Sequence, residues 1–420
     1  MQKYIDALRS YIQSDYKGMF RESGGGFPHG FLTPGSASYM DCLWDWDSYF
    51  TNVALKQILT DGGNDVEEAR PYEYGCVLNY LHFTEPTGFM PITVNRTAGE
   101  PEYLRPEDIY HENMHKPIIA QHAAFLVRYA GGDAEWLRED FSKLQFFINN
   151  YLNHHRHKAT GLFYWQTDKM VGVDNDPCIF YRPDGSTGSI YLNCLMVREL
   201  EAMEYLCARL DRPDSGEIYR QEREKLIDAI RIHCFDERDG FFYNVDINLR
   251  PIDFSNGEFY HKGMPRHWDS VIQRIDTWCG GLALWAGVAT PAQAARVVER
   301  YRAPRTFNCL GGVRTLSPLE KMYRIAASNN PSCWLGPVWG ISNYLTFRGL
   351  VKYGYTEDAR QLCERTIRMF GEDVLAHGAM HEYYSPDDAK PVINPGFQNW
   401  NMLVLNMIDW YEGKEYIEEF

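Results

Sequence analysis

The ten residues Asp41 to Phe50 read DCLWDWDSYF, with two indoles, a Tyr, a Phe and three carboxylates side by side. Carbohydrate recognition uses this mixture. Aromatic faces lie against the C–H faces of a sugar ring, and carboxylates accept hydrogen bonds from adjacent hydroxyls. Aromatic-rich segments also build cores, because Trp and Tyr bury large areas anywhere. Core packing alone accounts poorly for Asp45 and Asp47, since an unpaired buried carboxylate is costly. Two further segments hold acid–base candidates. Gly172-Val173-Asp174-Asn175-Asp176-Pro177 is one, and its plain alternative is a tight turn. His381-Glu382-Tyr383-Tyr384-Ser385-Pro386 is the other, and its alternative is a solvated loop with one anchored Tyr. A Glu flanked by His and two Tyr can be desolvated and oriented for proton transfer. Glycoside hydrolysis needs such a pair, one carboxyl to protonate the leaving oxygen and one to activate water or attack carbon.

The elements that must position these groups read as helices. Leu192, Met196, Leu200, Met203, Cys207 and Leu210 step by three and four, as do Leu137, Phe141, Leu144, Ile148 and Tyr151. Further helical runs fall near 51–60, 65–83, 115–130, 214–233, 278–288, 291–302, 337–353, 356–371 and 397–412. Thr290 before Pro291, and Thr356 before Glu357 and Asp358, mark helix starts. Long Val/Ile/Thr alternations are absent, so no large sheet is expected. Gly161-Leu162-Phe163-Tyr164 is echoed by Gly240-Phe241-Phe242-Tyr243, each after a long helix and a charged turn. Repeated helix pairs with alternating short and long loops predict an all-α toroid. Long loops near 22–45, 84–112, 158–188, 244–277, 303–335 and 372–396 hold most of the Trp, Asp, Glu and His chemistry, as if gathered at one end. No linker divides the chain, so residues 1–420 read as a single domain.

Composition excludes several classes. The 420 residues carry 42 basic and 57 acidic side chains, a net charge of −15, with no dense Lys/Arg run. That argues against nucleic acid as a partner. No apolar stretch is long enough to span a membrane. The N-terminus lacks the basic start and apolar core of a signal peptide. Ten cysteines without a CxxC pair read as buried small residues of a reducing compartment, so a cytoplasmic location is expected. A periplasmic one would follow had a signal peptide been removed. His111, His115, His122, His261, His267 and His377 are scattered, and only His111 and His115 have H-x-x-x-H spacing, with no third ligand evident. Neither a metal nor another cofactor is expected.

Five segments in order resemble a clan of α-acting glycoside hydrolases on an (α/α)6 barrel. It holds trehalases, glycoside hydrolase family 63 glucosidases and the mannosylglycerate and glucosylglycerate hydrolases. Trp44, Trp46, Asp47 and Phe50 resemble the clan's sugar-binding WxWDxxF opening. Gly172 to Asn175 resembles the G-x-D-N turn that carries the catalytic acid, which points to Asp174. His381 to Pro386 resembles the segment of the catalytic base, which points to Glu382. Trp334-Leu335-Gly336-Pro337-Val338-Trp339 resembles W-R-G-P-x-W, and Phe397-Gln398-Asn399-Trp400 resembles the closing turn.

The resemblance implies an (α/α)6 barrel with short β-hairpins at one end. It also implies an exo-acting, inverting hydrolysis of a short α-glucoside, with α-mannosides second. Asp174 would protonate the glycosidic oxygen, with Asp168 and Asp176 the nearby carboxylates in sequence. Glu382 would activate water. Trp44, Trp46, Asp47, Phe50, Trp334, Gly336, Trp339, His381, Tyr384 and Trp400 would bind substrate. Lys116 and Arg314 would meet a hydroxyl or an anionic aglycone such as glycerate. Two departures bear on the substrate: Leu335 replaces the usual Arg, and His115-Lys116-Pro117 stands where relatives often show Gln-Pro-Pro. The rival readings are a sugar epimerase or isomerase on a helical toroid, an unsaturated-uronide hydrolase, and a non-catalytic glycan-binding protein. Pairing of the Asp174 and Glu382 segments favours hydrolysis.

Overall fold

The structure, a computed structural model, describes residues 1–63, 66–112, 115–249, 268–326 and 332–420. Twelve α-helices are found among them. Six form an inner ring: α2 (Asp45–Gly62), α4 (Ile119–Tyr129), α6 (Ile190–Arg209), α8 (Leu282–Trp285), α10 (Gly340–Lys352) and α12 (Val404–Tyr411). Each packs on the next, and α12 returns to α2, so the ring closes. The intervening helices lie outside: α1 (Gln2–Asp15), α3 (Val66–Phe83), α5 (Phe141–His154), α7 (Pro213–His233), α9 (Pro291–Arg302) and α11 (Thr356–His377). This is the (α/α)6 toroid. Inner helices are buried on nearly every side. In α6 the stripe from Leu192 to Cys207 and the intervening Cys194, Leu195 and Val197 are all buried. The outer helix α7 shows the amphipathic alternative, burying Tyr219, Leu226 and Ile230 and leaving its charged face in water.

Some helix boundaries differ from the sequence reading. Helix α2 begins at Asp45, so the aromatic–acidic motif is its first turn rather than a loop before it. Asp45 and Asp47 favour that position because the N-terminal N–H groups carry partial positive charge. Helix α1 was not expected, although Ile5, Leu8 and Ile12 give the three-and-four spacing and are buried. Thr290 caps α9 as expected, in a reciprocal box with Gln293. Thr356 does not cap α11. It lies inside the first turn after Tyr355, and the helix runs on to His377, into the expected loop. Two of the expected runs begin as 3-10 turns, Trp278–Gly281 and Asn399–Leu403.

The echo marks a repeated connection. Gly161 and Gly240 both adopt a left-handed backbone, φ 76° and 70°, which glycine tolerates best. Each sits in a short hairpin that leads from an outer helix to the next inner one. The sheets are small, of two or three strands. One pairs Val338–Trp339 with His381–Tyr384 and then Pro391–Pro395. Another pairs Cys42–Trp44 with Thr93–Asn95. No described helix is long and apolar enough to cross a membrane.

The two ends of the ring differ in what covers them. At one end, the inner-helix N-termini and the hairpins meet. At the other, the segment Tyr416–Phe420 lies across the ring. Gln57 of α2, Tyr129 of α4, Arg198 of α6, Trp285 of α8, Arg348 of α10 and Asn406 of α12 all hydrogen-bond to it.

Candidate active site

A pocket of 440 Å³ opens at the N-terminal end of the ring. Its walls come from residues adjacent to four inner-helix starts. Trp44, Trp46 and Asp47 open α2, Lys116 precedes α4, Trp339 precedes α10, and Trp400 lies in the turn before α12. Long connections add Asp174, Trp334 and Glu382. The pocket therefore gathers nine of the sequence candidates. The N-terminal ends of α2, α4, α10 and α12 lie beside it, and the partial positive charge of helix N-termini favours nearby negative charge.

The aromatic wall is a packed cluster. Trp334 and Trp339 stack at 4.1 Å and 8°, and Trp334 stacks on Trp278 at 6.0 Å. Trp46 meets Trp400 at 4.8 Å and Trp334 at 5.8 Å. The indole N–H of Trp339 donates to Cys333 O. Those of Trp44, Trp334 and Trp400 are buried and meet no acceptor among the described residues. Buried N–H groups are costly to leave unpaired, so these three donors suit hydroxyl groups of a ligand.

Glu382 is 4% exposed. Asn394 Nδ2 donates to its Oε2 at 2.7 Å, and the Tyr39 hydroxyl donates at 3.2 and 3.3 Å. Burial raises its pKa above the usual carboxylate value. The Asn394 and Tyr39 hydrogen bonds pull it back, and the charge of Asp174 adds to the rise. Asn394 holds a left-handed backbone, φ 56°, which a β-strand rarely contains. Tyr39 and Asn394 were missed by the sequence reading. Their only local signals are an Asn-Pro-Gly turn and a lone Tyr after Ser36-Ala37-Ser38.

Asp174 lies between two fixed points. Gly172, φ 71°, packs on Lys116, and Asn175, φ 58°, is tied to the Trp334 segment. Asn175 Nδ2 donates to Ser332 O at 3.1 Å, and its Oδ1 accepts from Trp334 N at 3.2 Å. Asp176 turns into the protein, where its Oδ1 accepts from Cys178 N, and burial pushes its pKa up to about 6. Asp168 is pushed up to about 7 by burial first and then by Asp174 and Asp176.

Asp47 is buried and accepts from Asn399 Nδ2. Burial, then the charge of Asp45, raises its pKa to about 8 against the pull of Lys116 and Asn399. Asp45 itself is closed to ligand. Its carboxylate takes Lys116 Nζ at 2.9 and 3.0 Å and Lys116 N at 3.0 Å, with side chains 0% and 1% exposed. Lys116 is thus no solvated cation awaiting an anionic aglycone; its charge is met inside the protein. Lys169, on the pocket wall and exposed, pairs with no carboxylate among the described residues.

Other candidates stand elsewhere. Phe50 is core, packed on Tyr49 and Tyr344, because α2 turns it away from the pocket. Gly336 lies behind Trp334, donates its N–H to Thr315 Oγ1, and leaves no room for a side chain beside Tyr323. His381 and Tyr384 both bond to Asp373 behind the strand, at 2.9 and 2.6 Å, where a register shift between Tyr383 and Tyr384 redirects the ring. Arg314 donates to the carbonyls of Pro304 and Asn308 and does not line the pocket. His111 is exposed on Asp108, whereas His115 and His122 are buried and His377 bonds Asp373. His261 and His267 lie outside the described residues. No group of three or more potential metal ligands occurs among the described residues.

Known proteins resemble this chain in sequence or in fold. Mannosylglycerate hydrolase MGH1 of Selaginella moellendorffii is 29% identical over 113 residues, 26% of this chain and 20% of that protein. The matched segment thus spans about a fifth of that relative's length. Two solved structures share the fold. The GH63 mannosylglycerate hydrolase from Thermus thermophilus, in complex with glucose, has a TM-score of 0.66 and 19% identity, covering 96% of this chain and 98% of that one. Neutral trehalase from Saccharomyces cerevisiae has a TM-score of 0.65 and 16% identity, covering 96% and 80%. Residues 41–401 match the family described as the mannosylglycerate hydrolase MGH1-like glycoside hydrolase domain, a span that contains all nine pocket candidates. The chain belongs to that glycoside hydrolase family.

Proposed function

We propose that the protein is an exo-acting, inverting glycoside hydrolase that releases one terminal sugar from a short α-glycoside. One observation carries the reading. Asp174 and Glu382, from separate connections, line the same tryptophan-walled pocket, and the charge of Asp174 bears on the Glu382 carboxyl. Asp174 protonates the glycosidic oxygen. Glu382, aimed by Asn394 and Tyr39, takes a proton from the water that attacks the anomeric carbon. Inversion requires the two carboxyl groups to stand about 6.5–9.5 Å apart, with the water between. The indoles pack on the sugar, and Asp47 accepts from its hydroxyls through the oxygen that Asn399 leaves open. A pocket of 440 Å³ suits one sugar and a small aglycone rather than a polymer running through.

An α-glucoside is the first substrate expected and an α-mannoside the second. Because Lys169 stands at the wall with no carboxylate partner among the described residues, an anionic aglycone is favoured over a cationic one. All residues that line the pocket work together, so we read residues 1–420 as one catalytic unit. The ten cysteines carry free thiols, which fits a cytoplasmic location.

The test is a panel of p-nitrophenyl α- and β-glycosides, trehalose, glucosylglycerate and mannosylglycerate, followed by proton NMR before mutarotation. An inverting enzyme acting on an α-glycoside releases β-sugar first. Initial release of α-sugar would require a nucleophile about 5–5.5 Å from the acid and would overturn the mechanism. A rapid fall in the size of an α-glucan, with little free monosaccharide, would overturn the exo reading.

A further inference from the structure

The Asp45–Lys116 ion pair at the pocket wall takes no part in moving a proton in the mechanism above. Lys116 is nonetheless held with unusual firmness. Its Nζ and backbone N both bond to the Asp45 carboxylate, and its ammonium lies 5.3 Å from the Trp46 ring centroid. The other side of that lysine meets the acid-bearing turn. A β-carbon on Gly172 would fall 2.4 Å from Lys116 Cε and 2.6 Å from Nζ. The glycine's backbone is therefore in contact with the lysine stem. Gly172 also has φ 71°, so two independent reasons exclude a side chain there. Asn175 anchors the far side of the same turn on Ser332 and Trp334.

From this geometry we propose that Lys116 is a positioning residue for the catalytic acid: anchored on Asp45, it forms the wall against which Gly172 packs, and so sets where Asp174 stands. The inference rests on Asp174 being the acid. It joins the first helix motif to the acid turn through one lysine. A flexible lysine could yield to a neighbour, but this one cannot move without breaking contacts to a buried carboxylate. Small displacements of a proton donor are costly, because proton transfer needs hydrogen-bond reach.

The test separates leaving groups. Hydrolysis of an O-glycoside breaks the C–O bond and forms a bond from water oxygen to the anomeric carbon. One proton goes from Asp174 to the leaving oxygen, and one from water to Glu382. A glycosyl fluoride breaks C–F instead, and fluoride departs without a proton. Variants that misplace the acid must therefore lose O-glycoside turnover and spare the fluoride. The probes are glucosylglycerate with α-glucosyl fluoride and mannosylglycerate with α-mannosyl fluoride. Lys116→Gln alone strands a buried carboxylate and threatens folding, so the neutral pair Asp45→Asn/Lys116→Gln is measured beside it. Gly172→Ala pushes on the lysine from the other side.

All three variants should lose about 100-fold in kcat/KM on the O-glycoside and less than about threefold on the fluoride. Equal loss on both substrates, or loss on neither, overturns the proposal. Asp174→Asn is the control. If the fluoride does not rescue it, the acid assignment itself fails, and that failure is distinct. Crystal structures of the neutral pair and of Gly172→Ala give a readout independent of turnover. Displacement of the Asp174 carboxyl by more than about 0.5 Å supports the positioning role, and an unmoved turn overturns it.

Discussion

Asp47 and Glu419 are both buried carboxylates of the same ring, one at each end, and burial alone would raise the pKa of both. Only Asp47 rises, to about 8. Glu419 is held below its usual value. Burial pushes it up, but the charge of Arg348, the Tyr344 hydrogen bond and Arg198 outweigh that effect. Arg348 Nε donates to both Glu419 oxygens at 3.0 and 2.7 Å, Tyr344 donates at 2.7 Å and the Trp285 indole at 3.1 Å. Asp47 has Asn399 and a lysine already bound by Asp45. The lesson is that burial makes a charge expensive, whereas its partners decide whether the protein keeps it. At the tail the negative charge is part of the fold. At the pocket the charge lacks such partners and the Asp47 carboxyl holds a proton instead, which suits a site that must bind hydroxyls and move protons.

The strongest way to break this contrast is at the pocket carboxylates. Asp174→Asn and Glu382→Gln should each lower turnover by about 10²- to 10⁴-fold, with unfolding midpoints near that of the wild type. Asp176→Asn should cost much less, because Asp176 faces Cys178. A dead Asp176→Asn beside a normal Asp174→Asn would move the acid by two residues. At the tail the effect should appear in stability instead. Glu419→Gln leaves Arg348 without its main partner in the interior and should cost about 3–5 kcal/mol in urea unfolding. Loss of activity without loss of stability there would erase the distinction between the ends.

The two ends should also answer pH in opposite senses. Asp47 has a folded pKa above its unfolded one. Its contribution is fully present below about pH 4 and is lost as pH rises toward about 8. Glu419 has a folded pKa below its unfolded one. Its contribution is present above the unfolded value of about 4.3 and is lost as pH falls through the folded value. Unfolding free energy measured from pH 5 to 8 should therefore fall less steeply in Asp47→Asn than in wild type, by about 3–4 kcal/mol across the window. Parallel curves would show that Asp47 does not carry the proton. A smaller effect falls on Glu382. Asn394→Ala removes a donor that stabilises the carboxylate, so the acidic limb of kcat/KM should move to higher pH, with about a tenfold loss at neutral pH. An unmoved limb would make Asn394 a turn residue and nothing more.

The helices and most of the pocket were legible because their signals are local. The stripe in α6 and the cap at Thr290 need only neighbours within one turn. Trp44, Trp46, Asp174, Trp334 and Glu382 announce chemistry by side-chain type, and their motifs lie within a few residues. The misses are of another kind. Phe50 belongs to the same motif as Trp46 and Asp47, yet the helix turns it into the core. His381 and Tyr384 flank Glu382 in sequence, yet both answer to Asp373. Tyr39 and Asn394 reach Glu382 from other connections and carry no motif of their own.

By itself the amino-acid sequence determined the helical pairs, the echo of their connections, and which residue types crowd one end of the ring. These follow from periodicity, backbone preference and side-chain chemistry, each readable over a few positions. Tertiary structure alone decided the state of each charge. Asp45 and Lys116 neutralise each other across 71 positions of sequence, and Arg348 reaches Glu419 across another 71. Desolvation and Coulomb interaction depend on distance and burial in space, so a carboxylate's pKa is set by neighbours that closure of the ring brings to it.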